Sequence, residues 1–172
     1  MTGVQTCALP ILTVGEQRRC WVPQDLGYRG QAGRPTGTTV FDIELIDARR
    51  SPSIPPPDVA GPPPDARRTA TGIAYKVLRP GTGARHPAAW NRVSVHYTGW
   101  TTDGKMFDTS LTRGAPTILS LDDVIAGWTE GVQLMVEGEK ARFWIPENLA
   151  YAGKQPPYGM LVFDIELIKI QD

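Results

Sequence analysis

From residue 71 onward, apolar positions recur with the two-residue period of half-buried strands. Ile73, Tyr75 and Val77 alternate with Ala74, Lys76 and Leu78, and Val93, Val95 and Tyr97 alternate with Ser94, His96 and Thr98. Asp103-Gly104 supplies the positive φ angles of a tight turn, which predicts a hairpin pairing residues 97–101 with 105–108. The period then changes: Val124, Ile125, Trp128, Val132 and Met135 fall at helical spacings, with Asp122 and Asp123 where negative charge complements a helix N-terminus. Gly127 and Gly131 each cost about 1 kcal/mol relative to alanine in a helix, so this one depends on packing against a sheet. Strand periodicity returns at 141–145 and 160–170, where Leu161, Phe163, Ile165 and Leu167 alternate with Val162, Asp164, Glu166 and Ile168. Strands in this number with one short helix imply an α+β domain, an antiparallel sheet with the helix on one face.

The closing stretch is written twice. Residues 15–49 and 138–171 are identical at about half their aligned positions, a repeat that divides the chain. The second copy follows about seventy residues of strand and helix pattern, whereas the first follows only fourteen residues. The chain therefore reads as a C-terminal domain fragment at 11–49, a proline-rich linker at 50–70 and a complete domain at 71–172, the whole implying a natural tandem. Residues 1–10 (MTGVQTCALP) fit neither unit and stay unassigned, as a native leader or as foreign sequence joined to the fold. The linker carries prolines 52, 55, 56, 57, 62, 63 and 64, which lack ladder donors and favour an extended, semi-rigid spacer. In the fragment, Phe41, Ile43 and Leu45 alternate along one strand face, and two short strands are marginal alone. They are expected to form a loose hairpin or to lie against the intact domain.

A 41% hydrophobic, 21% charged composition is that of a globular protein, and 18 basic residues balance 18 acidic ones, which argues against a nucleic-acid partner. Cys7 and Cys20 match no zinc spacing, His86 and His96 form no ligand pair, and Gly81-Thr82-Gly83 lacks the spacing of a phosphate loop. No serine stands in a nucleophile elbow. An enzyme built from these residues is expected to work with no nucleophile, metal or cofactor. The apolar run at 8–14 is too short to span a bilayer. A soluble protein acting as a monomer is expected, its compartment, cytoplasmic or periplasmic, left open.

What remains is a set of aromatics beside one acid: Tyr97, Phe107, Trp128, Tyr151 and Phe163 come from five elements, and Asp108 follows Phe107. Singly, each reads as core. Together with VSVHYTGWTTDGKMFDTS at 93–110, VIAGWTEGVQLMVEGEKARFWIP at 124–146, Ala150-Tyr151 and PPYGMLVFDIEL at 156–167, they make residues 71–172 resemble the FKBP family of peptidyl-prolyl cis-trans isomerases. The resemblance implies a twisted antiparallel sheet wrapped around one short helix, preceded here by a partial copy. It implies a pocket for proline-containing polypeptides, with Tyr97, Phe107, Val124, Ile125, Tyr151 and Phe163 as walls and Trp128 as floor. Asp108 would accept a hydrogen bond from Tyr97 and pair with Arg113. The Tyr151 hydroxyl and a backbone N–H near Val124-Ile125 would hold the peptide. Catalytic roles then fall to Tyr97, Phe107, Asp108, Trp128 and Tyr151, and substrate binding to Arg113, Val124, Ile125 and Phe163.

Two departures bear on ligands. Only residues 152–155 separate Tyr151 from Pro156-Pro157, a short flap, and Thr117 stands about where relatives carry an aromatic. Both open the rim, which weakens the expectation that macrocyclic FKBP inhibitors bind. The competing function is a proline-peptide-binding or chaperone module with little catalysis. The fragment at 11–49 retains Tyr28 and Phe41 but nothing corresponding to Tyr97, Phe107, Asp108 or Trp128, so one competent site is expected.

Overall fold

The computed structural model describes residues 12–46 and 53–171; the leader at 1–10 and the junction at 47–52 lie outside the described residues. The chain divides into two units, residues 1–50 and 51–172. In the first, β1 (Gln17–Val22) pairs antiparallel with β2 (Thr39–Glu44), placing Cys20 opposite Phe41. Lacking further strands in their sheet, Trp21 and Val40 are 57% and 51% exposed.

The second unit contains β3 (Arg67–Arg68), β4 (Ala74–Arg79), β5 (Arg92–Thr101), β6 (Met106–Thr109), β7 (Thr117–Ser120), β8 (Lys140–Ile145) and β9 (Leu161–Gln171), with α1 (Ala126–Val132) before β8. The sheet runs β3-β4-β8-β9-β5-β6, and β7 pairs with the start of β5. The expected hairpin is present: Thr98 faces Thr109 and Gly99 faces Asp108. Gly104, at φ 87°, turns the chain, its N–H donating to the Thr101 carbonyl at 2.9 Å. β7 and the two-residue β3, which lies within the stretch read as linker, are additions to the strands read from the sequence.

Alternation along the strands makes two cores. On the inner face Val93, Val95, Phe143, Phe163, Ile165 and Leu167 pack around Trp128, Val132 and Met135. The helix can approach this closely because its two glycines present no Cβ: one on Gly131 would meet the Phe143 ring at 3.0 Å, and one on Gly127 would overlap Ile145. The helical cost of glycine is thus offset by burial against the sheet. α1 begins at residue 126, later than the aspartates suggested, and has no acidic residue in its first turn. Asp122 is instead engaged by the Ser120 hydroxyl at 2.6 Å.

The outer core joins Ala74, Trp100, Trp144 and Val162 with Val59 from the proline-rich segment. The segment from residue 53 to 66 is therefore not a spacer, as its composition suggested, but a strap seated on the sheet. Prolines exclude it from the ladder, yet leave its carbonyls and the aspartates between them free to bond. No helix among the described residues is long and apolar enough to cross a membrane.

Candidate active site

β5 and β9 carry Tyr97 and Phe163 onto the inner face, β6 supplies Phe107 and Asp108, and α1 lays Trp128 beneath them. The indole meets Tyr97 edge to face with centroids 5.1 Å apart, and Phe163 at 5.4 Å; Phe107 meets Phe163 at 5.6 Å, again near perpendicular. Such geometry aligns ring edges with ring faces, each pair contributing about 0.5–1.5 kcal/mol beyond its buried area. The result is a cavity of about 250 Å³ lined by Tyr97, Phe107, Asp108, Leu119, Asp123, Val124, Ile125, Trp128, Tyr151 and Phe163. A larger concavity of about 620 Å³ lies along the β1–β2 ribbon, but its lining is mostly charged and converges on no buried group.

The structure brings together eight of the nine residues singled out in the sequence as cavity lining, and Arg113 joins them from the rim. It ends a 3-10 turn at residues 111–113. The Tyr97 hydroxyl donates to Asp108 Oδ2 at 2.5 Å, and Arg113 Nη2 donates to the Tyr97 oxygen at 2.7 Å. Arg113 Nη1 stands 3.5 Å from Asp108 Oδ1, and the guanidinium lies over the Tyr97 ring, 5.6 Å from its centroid. Behind the ring, the buried Ser110 hydroxyl accepts the Tyr97 N–H at 2.8 Å. One phenol is thus held by an acid, a cation and its own backbone.

Burial, then the neighbouring Asp108, raises the Tyr97 pKa above the ordinary phenol value. Burial and the Asp108 charge raise that of Tyr151 as well. Both phenols stay protonated at neutral pH. Among the described residues the Tyr151 hydroxyl, the Val124 and Ile125 N–H groups and the Trp128 indole N–H have no hydrogen-bond partner, so several donors are free at the cavity.

Leu119 and Asp123 also line the cavity, and sequence reasoning passed over both. Leu119 pairs with Val93 across β7 and β5, so it, two residues beyond Thr117, provides the apolar wall on that side. The alternation of Thr117, Leu119 and Leu121 was the available signal. The short flap folds on itself, Lys154 N–H donating to the Tyr151 carbonyl at 3.0 Å and Gly159 N–H to Glu147 Oε1 at 3.0 Å, and none of residues 152–159 lines the cavity.

Gly99 decides how tightly the wall closes. A Cβ there would lie 2.7 Å from Phe107 Cζ and 2.8 Å from Phe163 Cε1. Gly99→Ala is expected to force the two rings apart, lowering stability by about 1–3 kcal/mol as overpacking does. Urea titration of the variant beside the parent checks this, and an unchanged midpoint would show that the rings shift freely.

Residues 83–168 match the family described as FKBP-type peptidyl-prolyl cis-trans isomerase. The chain is 50% identical over 109 residues to an FKBP-type peptidyl-prolyl cis-trans isomerase, FkpA, of Aeromonas hydrophila, a match covering 61% of this chain and 40% of that protein. It is 46% identical over 114 residues to the macrophage infectivity potentiator of Trypanosoma cruzi, covering 63% of this chain and 58% of the relative. The match thus spans between two fifths and three fifths of these relatives' lengths. Among solved structures, FkpA from Escherichia coli superposes with a TM-score of 0.59 at 42% identity, covering 63% of this chain and 53% of that one. A peptidyl-prolyl cis-trans isomerase from Pseudomonas syringae superposes with a TM-score of 0.57 at 43% identity, covering 64% and 84%.

Proposed function

Because this chain belongs to the FKBP-type peptidyl-prolyl cis-trans isomerase family, we propose that its second unit catalyses cis-trans isomerisation of X-Pro bonds in other polypeptides and so assists their folding. The observation that carries the reading is an aromatic-walled cavity with unengaged donors at it, the Tyr151 hydroxyl and the Ile125 N–H among them. Rotation about a peptide bond has a barrier of about 18–20 kcal/mol because resonance is lost, and uncatalysed X-Pro exchange takes tens to hundreds of seconds. In the planar ground state the amide is charge-separated and well hydrated; a dry pocket disfavours that form. The twisted amide loses less on desolvation, and its carbonyl can accept a bond from a fixed N–H, so the transition state is bound more tightly than either planar state.

The residues take these roles. Trp128 forms the floor under the proline ring, with Phe107, Phe163, Val124 and Ile125 as walls. The Ile125 N–H and the Tyr151 hydroxyl hold peptide carbonyls. Asp108, braced by Tyr97 and Arg113, presents a fixed negative field beside the rotating bond. Every lining residue comes from one chain, so the cavity needs no second copy to complete it, and the proposed action is that of a monomer. Macrocyclic inhibitors of the family would enter the same cavity, held weakly because the flap adds no contact.

Exchange NMR on a short proline peptide tests the reading directly: substoichiometric protein should broaden and exchange the cis and trans signals. If folded protein leaves exchange at the uncatalysed rate while raising the refolding yield of a client, the domain is a binding module instead. A second expectation follows from the phenols. Raised folded-state pKa values mean that their contribution to stability is fully present below the unfolded tyrosine value of 10.0 and is lost as pH rises through the higher folded values. The difference in unfolding free energy between the parent and Tyr97→Phe/Tyr151→Phe should be constant below pH 10 and shrink above it. A difference that grows above pH 10 would refute the assignment.

A further inference from the structure

The strap has an internal repeat. Pro55-Pro56-Pro57-Asp58-Val59 is followed seven residues later by Pro62-Pro63-Pro64-Asp65-Ala66, and the structure repeats with it. Val59 N–H closes on the Pro56 carbonyl at 3.1 Å, and Ala66 N–H on the Pro63 carbonyl at 3.0 Å. Each aspartate meets a cation of the sheet: Asp58 pairs with Arg142, and Asp65 with Lys76 at 2.7 Å. Each following apolar residue, Val59 and Ala66, enters the cluster formed by Trp100, Trp144, Ala74 and Val162.

The sheet is built to match. Lys76 and Arg142 are direct partners across β4 and β8, so two like charges stand opposite each other on one face; Asp164 of β9 takes Arg142 Nε and Nη2 at 2.6 and 2.9 Å, which leaves Arg142 Nη1 and Lys76 for the strap's aspartates. In the next row Ala74 faces Trp144, and Val162 lies beyond. Trp144 is fully buried, and its indole N–H donates to the Asp58 carbonyl at 3.0 Å. This pairs an indole donor with a carbonyl that follows three prolines. Because proline φ is already fixed, such a segment loses little backbone freedom on docking. The repeat supplies a contrast: Trp21 and Val40, which match Trp144 and Val162, are 57% and 51% exposed on the β1–β2 ribbon.

We propose that the outer face of the second unit is a binding site, separate from the catalytic cavity, for acidic proline-rich segments carrying Pro-Pro-Pro-Asp at a seven-residue spacing. Residues 55–66 are its resident occupant. The cation pair reads the two aspartates, the tryptophan trench takes the residues after them, and the indole N–H reads the first aspartate's carbonyl. A segment of the same chemistry on another polypeptide competes for this face, and the tethered strap holds the site closed until it is released.

The full-length chain and the synthetic peptide PPPDVAGPPPDA test this, with hydrogen exchange of the Trp144 indole N–H as readout. Asp58→Ala/Asp65→Ala is expected to speed that exchange about tenfold or more, since the charge-assisted anchors are gone. The peptide should then restore protection saturably, while a version with both aspartates replaced by alanine should not. Asp65→Ala alone, which leaves the Arg142 group intact, gives the same pattern at roughly threefold faster exchange, the scale of an exposed ion pair. It decides the matter if the double variant unfolds. Unchanged exchange in the folded variants, failure of the peptide to protect, or equal protection by the alanine peptide would overturn the proposal.

Discussion

Trp128→Ala is expected to lower kcat/KM for proline-peptide isomerisation about 100-fold, a loss of roughly 2.7 kcal/mol of transition-state stabilisation. The indole is only 4% exposed and, among the described residues, is the one ring that touches both Tyr97 and Phe163 edge to face. Removing it deletes the pocket floor and frees the two rings that define its sides. A buried Trp→Ala change also costs about 3–5 kcal/mol of stability, a large share of a domain's usual 5–15. A loss of rate must therefore be separated from a loss of fold. Trp128→Phe does so, keeping an aromatic floor with smaller volume; it should stay folded and retain a larger share of the activity than the alanine variant. Circular dichroism of both proteins, beside exchange NMR of the peptide, reads the two effects independently. Full turnover by folded Trp128→Ala would remove Trp128 from the site.

Much of this cavity was legible because the residues that build it also obey strong periods. Tyr97 and Phe163 sit on strands with one buried face, where a two-residue alternation fixes which side chains point inward. Trp128 lies in the helical run, and Phe107-Asp108 follows a turn whose chemistry is unambiguous. β7 escaped because an apolar residue on its outward face, Ile118 at 48% exposed, masks the alternation of Thr117, Leu119 and Leu121. The cavity wall supplied by Leu119 was missed for that reason. The strap escaped on different grounds. Its anchors join residues 84 and 86 positions apart, Arg142 and Trp144 to Asp58, and no local pattern encodes such a bond. A run of prolines gives the conformation of a segment but not the surface on which it rests.

The same arginine–aspartate geometry occurs twice in the chain, so burial can be varied while chemistry is held fixed. Arg142 Nε and Nη2 donate to Asp164 at 2.6 and 2.9 Å, and Arg19 donates to Asp42 at 2.6 and 2.9 Å. In the first pair the side chains are 10% and 14% exposed, in the second 60% and 68%. Arg142→Ala removes the guanidinium from Asp164, beneath the strap, and from Asp58, on it, and breaking a buried pair by removing one partner costs about 3–5 kcal/mol. Arg19→Ala should have little measurable effect, because water replaces the lost partner. The large figure is the penalty of an orphaned charge and not the net worth of the pair. Replacing both Arg142 and Asp164 with methionine and leucine should recover part of the loss, limited by Asp58, which still lacks its cation. Urea denaturation of the three proteins measures these terms. A loss on Arg142→Ala as small as that on Arg19→Ala would mean that the strap leaves the face open to water, and that the buried appearance of this ion group does not govern its energetics.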